Sequence, residues 1–482
     1  MPHSPPRLTR PLGPRSSSAG PGIGIVHLGL GAFFRAHGAI YVAQAMTASG
    51  GDWGIIGVSL QRPLMHDLLA PQGYCYTAVE LGPDGPVDRV IDVIQAVLVG
   101  PRDPQAVLNA MADPGVKIVS LTITEKGYCH DPATGRLTLS HPDIVHDIAT
   151  PLPRSAPGYL VRALQLRRAS GAETFTVLCC DNLPRNGALV RQIVLDLAAA
   201  IDPGLADWIG TNGRFPSGMV DRIVPATTDA DIAALSARSG STDLSPVLHE
   251  PYRQWVIEDD FVGGKRPDFA RVGVQMVSDV APYERLKLRM LNGAHSALAY
   301  LGLLAGHQSM ADTVADPVFA RYVQQLWTTE IIPTLTVPQG MDLADYSATL
   351  LHRFANPAIR HLTAQIAMDG SQKLPQRILG TLRDNHAAGR DSPGLTLALA
   401  GWMRYLGGVT DAGLGVVVKD PLAAQLQNVS QSAGSSAELV RGFLAFSQIF
   451  DPAQAAQLHA AVTRAYDSLS VIGARRTVSA WL

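Results

Sequence analysis

Apolar residues follow two different patterns along this chain of 482 residues, and each pattern predicts a different kind of structure. In the first part, short runs rich in aliphatic residues are separated by longer stretches in which apolar residues recur three and four positions apart. The runs span residues 23–31, 53–60, 117–124 and 175–181, and the longer stretches include residues 35–46, 104–112 and 158–169. Buried strands that alternate with helices predict an α/β fold with a parallel sheet covered by helices.

The pattern changes near residue 280, where β-branched runs become scarce and helical spacing dominates. The helical stretches cover residues 283–306, 314–330, 343–354, 374–388, 395–406 and 436–446. They predict a mainly α-helical second part. Gly, Asn and Ser residues predict surface loops at residues 410–415 and 428–436.

The first strand runs into a glycine-rich turn, Gly29-Leu30-Gly31-Ala32-Phe33-Phe34-Arg35. A strand, a glycine turn and a helix begin a dinucleotide-binding fold, because the backbone amides there can approach a pyrophosphate. The third glycine of the usual G-x-G-x-x-G motif is missing, but the first two supply the close approach. We therefore expect a Rossmann-type parallel sheet that binds a dinucleotide. The alternative is a glycine turn with a purely structural role.

The second predicted strand ends in Ser59-Leu60-Gln61-Arg62, without the Asp or Glu that usually binds the ribose of NAD. Arg62 could bind the 2′-phosphate of NADP instead, so these residues are compatible with either NAD(H) or NADP(H) as the cofactor. The alternative for Arg62 is a solvated cation in a loop.

The length of the chain indicates two large domains. Residues 1–21 are rich in Pro, Ser and Arg and lack the apolar core of a signal peptide, so we expect a disordered tail. A dinucleotide-binding Rossmann-type domain is predicted over residues 22–279, and a helical substrate-binding and catalytic domain over residues 280–482.

Composition excludes several classes of protein. The 39 Lys and Arg residues balance 41 Asp and Glu residues without a basic, aromatic-rich cluster, which argues against nucleic-acid binding. The longest apolar runs fall short of the ~20 residues that cross a bilayer. The cysteines have neither disulfide-framework nor metal-ligand spacing, so we expect a cytoplasmic protein without a structural metal.

Lys287, Asn292 and His295 lie five and three residues apart in an otherwise apolar segment. At about 100° per residue, one broad helix face could carry all three. Burial favours the neutral amine of a lysine, which is the form that acts as a base. Eight residues of a regular helix span about 12 Å along its axis. Lys287 and His295 can therefore reach the same substrate atom only if the helix is distorted near Lys287. The alternative is a helix with two solvated polar residues and a core histidine.

Other polar residues follow the predicted strands. Asn182 is a neutral donor suited to hold a carbonyl oxygen or alkoxide, with a helix cap before Pro184 as its alternative. For Glu125 the alternative is a surface carboxylate, and for Asp221 an ion pair with Arg222. Zinc motifs and nucleophile elbows are absent from the sequence.

Together, these motifs resemble the polyol-specific long-chain dehydrogenases, the family of the mannitol 2-dehydrogenases. In chain order they are Gly29-x-Gly31-x-Phe33-x-Arg35, Thr124-Glu125-x-Gly127-Tyr128, Cys180-Asp181-Asn182-x3-Asn186-Gly187, Met219-Val220-Asp221-Arg222, Trp255-x2-Glu258-Asp259, Lys287-x4-Asn292-x2-His295 and Asp369-Gly370-Ser371-x-Lys373. The resemblance implies an N-terminal Rossmann-type domain, a mainly α-helical C-terminal domain, NAD(H) as the cofactor, a reaction without a metal, and a monomer or weak dimer.

The resemblance also implies roles for individual residues. Lys287 would be the general acid and base, Asn182 and Asn292 would hold the reacting oxygen, and His295 would orient it. Glu125 would gate proton exchange with solvent. Asp221 and Lys373 would line the substrate and nicotinamide region, and the glycine turn with Thr124 would contact the cofactor.

The substrate prediction depends on residues near Lys373. Mannitol 2-dehydrogenases typically carry an arginine eight residues before that lysine, where this chain has Gln365. The surrounding run resembles the fructuronate reductase branch, which implies D-fructuronate and D-mannonate as substrates. Arg360, Lys373 and Arg377 are the candidates for binding a carboxylate. The alternatives are a polyol dehydrogenase acting on mannitol or arabinitol, and a nicotinamide-binding sensor without turnover.

Overall fold

The computed structural model describes residues 5–9 and 21–482. The chain divides into two compact units, Met1–Ala281 and Pro282–Leu482, called here the N-terminal and C-terminal units. Most of the predicted tail lies outside the described residues. Within residues 5–9, Leu8 is buried and its backbone amide donates to the carbonyl oxygen of Thr242 at 2.9 Å.

A five-stranded parallel sheet forms the centre of the N-terminal unit and confirms the predicted sheet. Its strand order is β5-β2-β1-β6-β7. The strands of the unit are β1 Ile23–Leu28, β2 Gly54–Ser59, β3 Tyr76–Gly82, β4 Gly85–Ile91, β5 Ile94–Val99, β6 Ile118–Leu121, β7 Thr176–Cys179, β8 Gly218–Asp221, β9 Val247–His249, β10 Gln254–Glu258 and β11 Gln275–Val277.

Helices pack on this sheet, and apolar side chains from both its faces enter two core clusters. The helices are α1 Ala32–Ala36, α2 Gly38–Ser49, α3 Leu64–Leu69, α4 Pro104–Ala112, α5 Pro142–Ala149, α6 Ala156–Ser170, α7 Asn186–Ile201, α8 Pro203–Asn212 and α9 Asp229–Ser239. Helix α4 begins at Pro104 and α6 has Pro157 as its second residue, and a capping side chain precedes each helix, Asp103 for α4 and Ser155 for α6. Such a start satisfies amides that would otherwise lack partners.

Two small sheets accompany the central one and were not predicted. One has the order β11-β10-β8, and the other has the order β4-β3-β9. Strand β4 shows why the pattern missed them, because five consecutive residues of it are exposed. A strand without a buried face carries no alternation of apolar and polar residues.

The C-terminal unit is mainly helical, as predicted. Its helices are α10 Ala281–Leu286, α11 Ala294–Leu304, α12 Met310–Ala315, α13 Pro317–Leu326, α14 Leu343–Phe354, α15 Thr363–Ile366, α16 Gly370–Leu374, α17 Gly380–Ala387, α18 Pro393–Tyr405, α19 Ala423–Ser432, α20 Ser436–Leu444, α21 Pro452–Ile472 and α22 Ala474–Trp481. The loop predicted at residues 428–436 is wrong over its first five residues, which belong to α19. The 21-residue helix α21 was missed because few of its side chains are buried, so its apolar spacing is weak.

π-Helical turns interrupt the helices of this unit at Lys287–Gly293, Trp327–Ile331 and Pro375–Leu379. The first confirms the distortion predicted near Lys287. The turns contact one another: Trp327 Nε1 donates to the carbonyl oxygen of Met290 at 2.8 Å. A Cβ atom at Gly293 would lie 2.7 Å from the carbonyl oxygen of Arg377. The first turn therefore packs closely against both of the others.

In the part of the chain that the structure describes, no helix combines the length and apolar character needed to span a bilayer.

Candidate active site

A cleft of about 1090 Å³ opens in the N-terminal unit beside the carboxyl ends of four parallel strands. Gly29, Ser59, Gly100 and Thr122 line it at the ends of β1, β2, β5 and β6. Open α/β sheets bind their ligands at this edge, because the loops that follow the strands converge there. The cleft is therefore the candidate cofactor site.

The glycine turn fits the close approach of a dinucleotide. Gly29 has a φ of +88°, and a Cβ atom there would lie 2.2 Å from the carbonyl oxygen of Thr122. A Cβ atom at Gly31 would meet nothing nearer than the carbonyl oxygen of Gly29 at 3.8 Å. Packing within the protein thus requires glycine at position 29, whereas position 31 leaves open space of the kind that a pyrophosphate needs.

The predicted cofactor residues divide into two groups. Gly29, Leu30, Gly31, Arg62 and Thr124 line the cleft. Ala32, Phe33, Phe34 and Arg35, in the first helix, lie outside the lining.

The side chains of two of these residues, Phe34 and Arg35, pack in the core of the unit. The Phe34 ring stacks on His27 at 3.4 Å. The Arg35 guanidinium is buried, donates to the carbonyl oxygen of Ser245 at 2.5 Å and lies over the ring of Tyr76. Their assignment to cofactor binding stays a prediction.

The part of the cleft lined by residues 59–62 carries a positive charge and no carboxylate. None of residues 59–62 is an Asp or Glu. The cations Arg62, Lys126 and Arg154 lie in the lining. Arg62 is exposed, and its side chain makes no hydrogen bond or ion pair within residues 5–9 and 21–482. The phosphates of a dinucleotide suit such a surface.

Asp181 joins the end of β7 to the loop that carries Glu125. Its carboxylate accepts hydrogen bonds from the amides of Ile123 at 2.9 Å and Thr124 at 3.1 Å, and from the Tyr128 hydroxyl at 2.6 Å. Burial raises the pKa of Asp181, and these three hydrogen bonds oppose the rise. Asp181 was not selected from the sequence as a site residue, because its contacts join segments far apart in the chain.

These hydrogen bonds hold Thr124 in a rare backbone conformation, with φ 65° and ψ 162°. Such a conformation is strained for any residue other than glycine and persists only where its surroundings enforce it. Glu125 follows, exposed, in the 3₁₀ turn Glu125–Tyr128. The loop is therefore built to a fixed shape at the cleft.

Asn182 does not cap α7, whose N-cap residue is Arg185. The buried amide of Asn186 instead ties β7 to β8. Its Nδ2 donates to the carbonyl oxygens of Cys179, Asp181 and Gly218, and its Oδ1 accepts from the amide of Gly218 at 3.0 Å. These hydrogen bonds of Asn186 fix the backbone around Asn182. They give the second asparagine of the motif a structural role.

Asp221 is buried at the end of β8. The guanidinium of Arg222 donates to the carbonyl oxygens of Glu250 at 3.0 Å and Ala36 at 2.7 Å, and lies 3.7 Å from the Glu80 carboxylate. Arg222 therefore binds several segments together.

In the C-terminal unit, the π-helical turn Lys287–Gly293 carries Lys287 and Asn292, and His295 begins the following helix. Lys287 is 7% exposed and His295 is 6% exposed. Hydrogen bonds in a π-helix join residues five apart, so the turn changes the relative direction of side chains on either side of it. Such turns are frequent at functional sites.

His295 is held as a neutral ring. It stacks on Phe354 at 4.5 Å and meets the edge of His361 at 4.7 Å. Burial lowers the pKa of His295 well below its usual range, and the charges of His361, Arg377 and Arg353 lower it further. Its Nε2 is buried without a hydrogen-bond partner among the described residues. A buried nitrogen of this kind suits a polar ligand.

The predicted substrate residues occupy different environments. Lys373 donates to the carbonyl oxygen of Met368 at 2.6 Å, and burial lowers its pKa. Arg377 donates to Ser296 Oγ at 3.2 Å, and burial also lowers its pKa. Arg360 and Gln365 are exposed.

The turn before Lys373 explains the motif Asp369-Gly370-Ser371. Asp369 has a φ of 56°, and a Cβ atom at Gly370 would lie 2.3 Å from Trp402 Nε1. The amide and hydroxyl of Ser371 donate to Asp420 at 2.8 and 2.5 Å. The motif therefore fixes the start of the helix that carries Lys373.

Among residues 5–9 and 21–482, no three His, Cys, Asp or Glu side chains are grouped so that they could hold a metal ion.

Known proteins resemble both parts of the chain. The mannitol dehydrogenase Rossmann domain matches residues 23–270, and the mannitol dehydrogenase C-terminal domain matches residues 279–470. D-mannonate oxidoreductase of Escherichia coli (strain K12) is 47% identical over 464 residues, covering 95% of each chain. Mannitol 2-dehydrogenase of Pyrenophora tritici-repentis is 42% identical, covering 84% of this chain and 73% of that protein.

A solved structure also shows similarity to the mannitol dehydrogenases. The ternary complex of Pseudomonas fluorescens mannitol 2-dehydrogenase with NAD and D-mannitol matches with a TM-score of 0.85. It is 40% identical and covers 96% of this chain and 94% of that one. These matches confirm the resemblance that the motifs indicated. The chain belongs to the mannitol dehydrogenase family of oxidoreductases.

Proposed function

We propose that this chain is a NAD(H)-dependent oxidoreductase that interconverts D-fructuronate and D-mannonate without a metal. The observation that carries the proposal is the positive charge of Arg353 and Arg377 at the buried ring of His295, whose Nε2 has no hydrogen-bond partner among the described residues. A sugar acid offers such a surface both an oxygen for the histidine and a carboxylate for a cation. The 47% identity with D-mannonate oxidoreductase supports the same substrate class.

The cleft of the N-terminal unit supports the cofactor assignment. The open space at Gly31 and the cations of the lining suit a dinucleotide, and the Pseudomonas fluorescens relative was solved with NAD. The nicotinamide, when bound, supplies or accepts the hydride. NADP(H) remains the alternative because Arg62 stands where an acid would bind the ribose.

Lys287 moves the proton in this proposal. In reduction its ammonium group donates a proton to the carbonyl oxygen of the substrate, and in oxidation the neutral amine takes the proton from the hydroxyl. Asn292 donates a hydrogen bond to the same oxygen through a neutral amide, which stabilises developing charge without removing the proton. The neutral ring of His295 orients that oxygen through Nε2.

The N-terminal unit contributes three residues whose roles rest on the family resemblance. Asn182 is assigned to the hydrogen bonding of the reacting oxygen. Glu125 is assigned to proton exchange with solvent, and its exposed position supports this. Asp221 is assigned to the substrate and nicotinamide region.

The test is steady-state reduction of D-fructuronate by NADH, with identification of the product, beside NADPH and D-fructose as alternative substrates. We expect D-mannonate as the product and NADH as the better cofactor, with undiminished activity after treatment with a chelator. Efficient reduction of D-fructose with negligible reduction of D-fructuronate would instead establish a polyol dehydrogenase. That second candidate is supported by the 40% identity with the mannitol complex.

A further inference from the structure

We infer that Arg377 binds the carboxylate of the substrate and so selects sugar acids over neutral sugars. This inference rests on the proposed function and chooses one residue among the cations near His295.

Arg377 is placed beside the candidate catalytic residues of the C-terminal unit. Its backbone packs against Gly293, the last residue of the turn that carries Lys287 and Asn292. Its Nη1 donates to the hydroxyl of Ser296, the residue that follows His295. A ligand bound by His295 therefore lies within the neighbourhood of this guanidinium.

The charge of Arg377 lacks a counter-ion in the protein. Within the described part of the chain, its hydrogen bond goes to a hydroxyl and no carboxylate pairs with it. Its neighbours add positive charge, since Arg377 and Arg353 both act on His295 and His361. The side chain of Arg377 is half-buried. A charge that is partly removed from water without a partner is unfavourable, so the site favours an anion.

Two buried arginines show how this chain satisfies a guanidinium group elsewhere. Arg289 donates to the Asp384 carboxylate at 2.5 Å. Arg167 donates to several backbone carbonyl oxygens, among them those of Met111 and Val116. Arg377 differs from both, because most of its donors stay available for a planar anion.

The remaining candidates fit a carboxylate less well. Lys373 is already occupied by the carbonyl oxygen of Met368, and Asp369 and Asp420 attract its charge. Arg360 is exposed, where water screens an ion pair. A guanidinium also matches a carboxylate with two parallel hydrogen bonds, which an ammonium group cannot do.

The test compares Arg377→Met with Arg377→Lys and with a matched control, Arg383→Met, which removes an exposed arginine six residues away. For Arg377→Met we expect the KM for D-fructuronate to rise about 10- to 100-fold, as for the loss of a charge-assisted hydrogen-bonded pair. Arg377→Lys should recover part of the affinity, and the control should match the unaltered protein.

Inhibition constants for competitive inhibitors give a second measurement. They compare a charged with a neutral ligand without requiring the protein to turn over a neutral sugar. D-mannonate should inhibit the unaltered protein more tightly than D-mannonamide, its neutral analogue, and Arg377→Met should remove that difference. Arg377→Lys keeps a cation in place and should retain part of the difference, even if the methionine variant folds poorly.

The inference is overturned if both variants keep the preference for D-mannonate over D-mannonamide, or if Arg377→Met weakens both inhibitors equally. Failure of the proposed function is a different result, in which the unaltered protein reduces D-fructose and ignores D-fructuronate.

Discussion

The two units place their candidate residues by opposite means. In the N-terminal unit, the cofactor cleft lies where regular parallel strands end, so that Gly29, Ser59 and Thr122 reach it simply by following a strand. In the C-terminal unit, Lys287, Asn292 and Arg377 lie in π-helical turns, where the α-helix is interrupted. In the N-terminal unit, regular strands place the candidate residues. In the C-terminal unit, interruptions of the α-helices place them.

Individual buried groups in the two units also titrate in opposite senses. In the N-terminal unit, burial lowers the pKa values of His27, His37 and His249 to about 3. In the C-terminal unit, burial raises the pKa of Glu330 to about 7. The contribution of Glu330 to stability should therefore depend on pH in the direction opposite to that of these three histidines.

The largest expected effect is on catalysis and tests whether the C-terminal unit carries the chemistry. Lys287→Met removes the group assigned to proton transfer, and we expect kcat to fall about 10³-fold, within the range of general acid–base catalysis. The affinity for NADH, measured by titration, should stay within about twofold. Near-normal kcat in this variant would remove Lys287 from the mechanism.

The second prediction separates Glu330 of the C-terminal unit from the buried histidines of the N-terminal unit by pH. Because the folded-state pKa of Glu330 lies above its ordinary value of 4.5, the folded protein holds this proton more tightly than the unfolded chain. Its contribution to the free energy of unfolding is thus fully present below pH 4.5 and is lost as pH rises to about 7. The shift corresponds to about 3 kcal/mol.

Glu330→Gln cannot titrate, so the difference in the free energy of unfolding between this variant and the unaltered protein should change across that window. The histidines act in the opposite sense, since their contribution is present above pH 6.5 and is lost as pH falls towards 3. Chemical denaturation at several pH values measures both. A difference for Glu330→Gln that is constant with pH would contradict the account.

The third prediction uses two glycines of the cleft that differ in their surroundings. Gly29→Ala introduces a Cβ atom against the carbonyl oxygen of Thr122 at a positive φ, and we expect a loss of about 1–3 kcal/mol in stability. Gly31→Ala meets open space, so its stability should be unchanged while the KM for NADH rises about tenfold. Thermal denaturation and steady-state kinetics distinguish the two. Equal stability of both variants would refute the assignment of Gly29 to packing.

The smallest effect concerns the packing of the π-helical turns. Gly293→Ala pushes against the carbonyl oxygen of Arg377, and we expect kcat/KM for D-fructuronate to fall about tenfold. Gly380→Ala is the matched control, because its Cβ atom would meet no atom nearer than 3.8 Å. If the control loses as much activity as Gly293→Ala, close packing of the turns is not what positions the site.

The same contrast explains how much the sequence could predict. Strands β1, β2, β6 and β7 follow from their apolar runs, and α14 follows from its spacing, because burial of one face leaves a regular pattern. The distortion at Lys287 followed from the spacing of polar residues and not from apolar periodicity. The other two π-helical turns could not be predicted, since the same apolar spacing is compatible with an unbroken helix.

Contacts between segments that are far apart in the chain also could not be predicted from the sequence. The hydrogen bonds of Asp181 to residues 123–128 and the lack of a counter-ion at Arg377 both depend on which segments meet in space. For Phe34 and Arg35, the motif could not show that their side chains pack in the core.

The central claim is that the charge around His295 makes this protein a sugar-acid oxidoreductase, and a direct competition tests it. D-fructuronate and D-fructose are supplied together at equal concentration with a limiting amount of NADH, and the two products are measured in the same sample. We predict that D-mannonate exceeds mannitol by at least about 100-fold, the discrimination that a charge-assisted ion pair gives. An excess of mannitol would contradict the account and make the protein a polyol dehydrogenase.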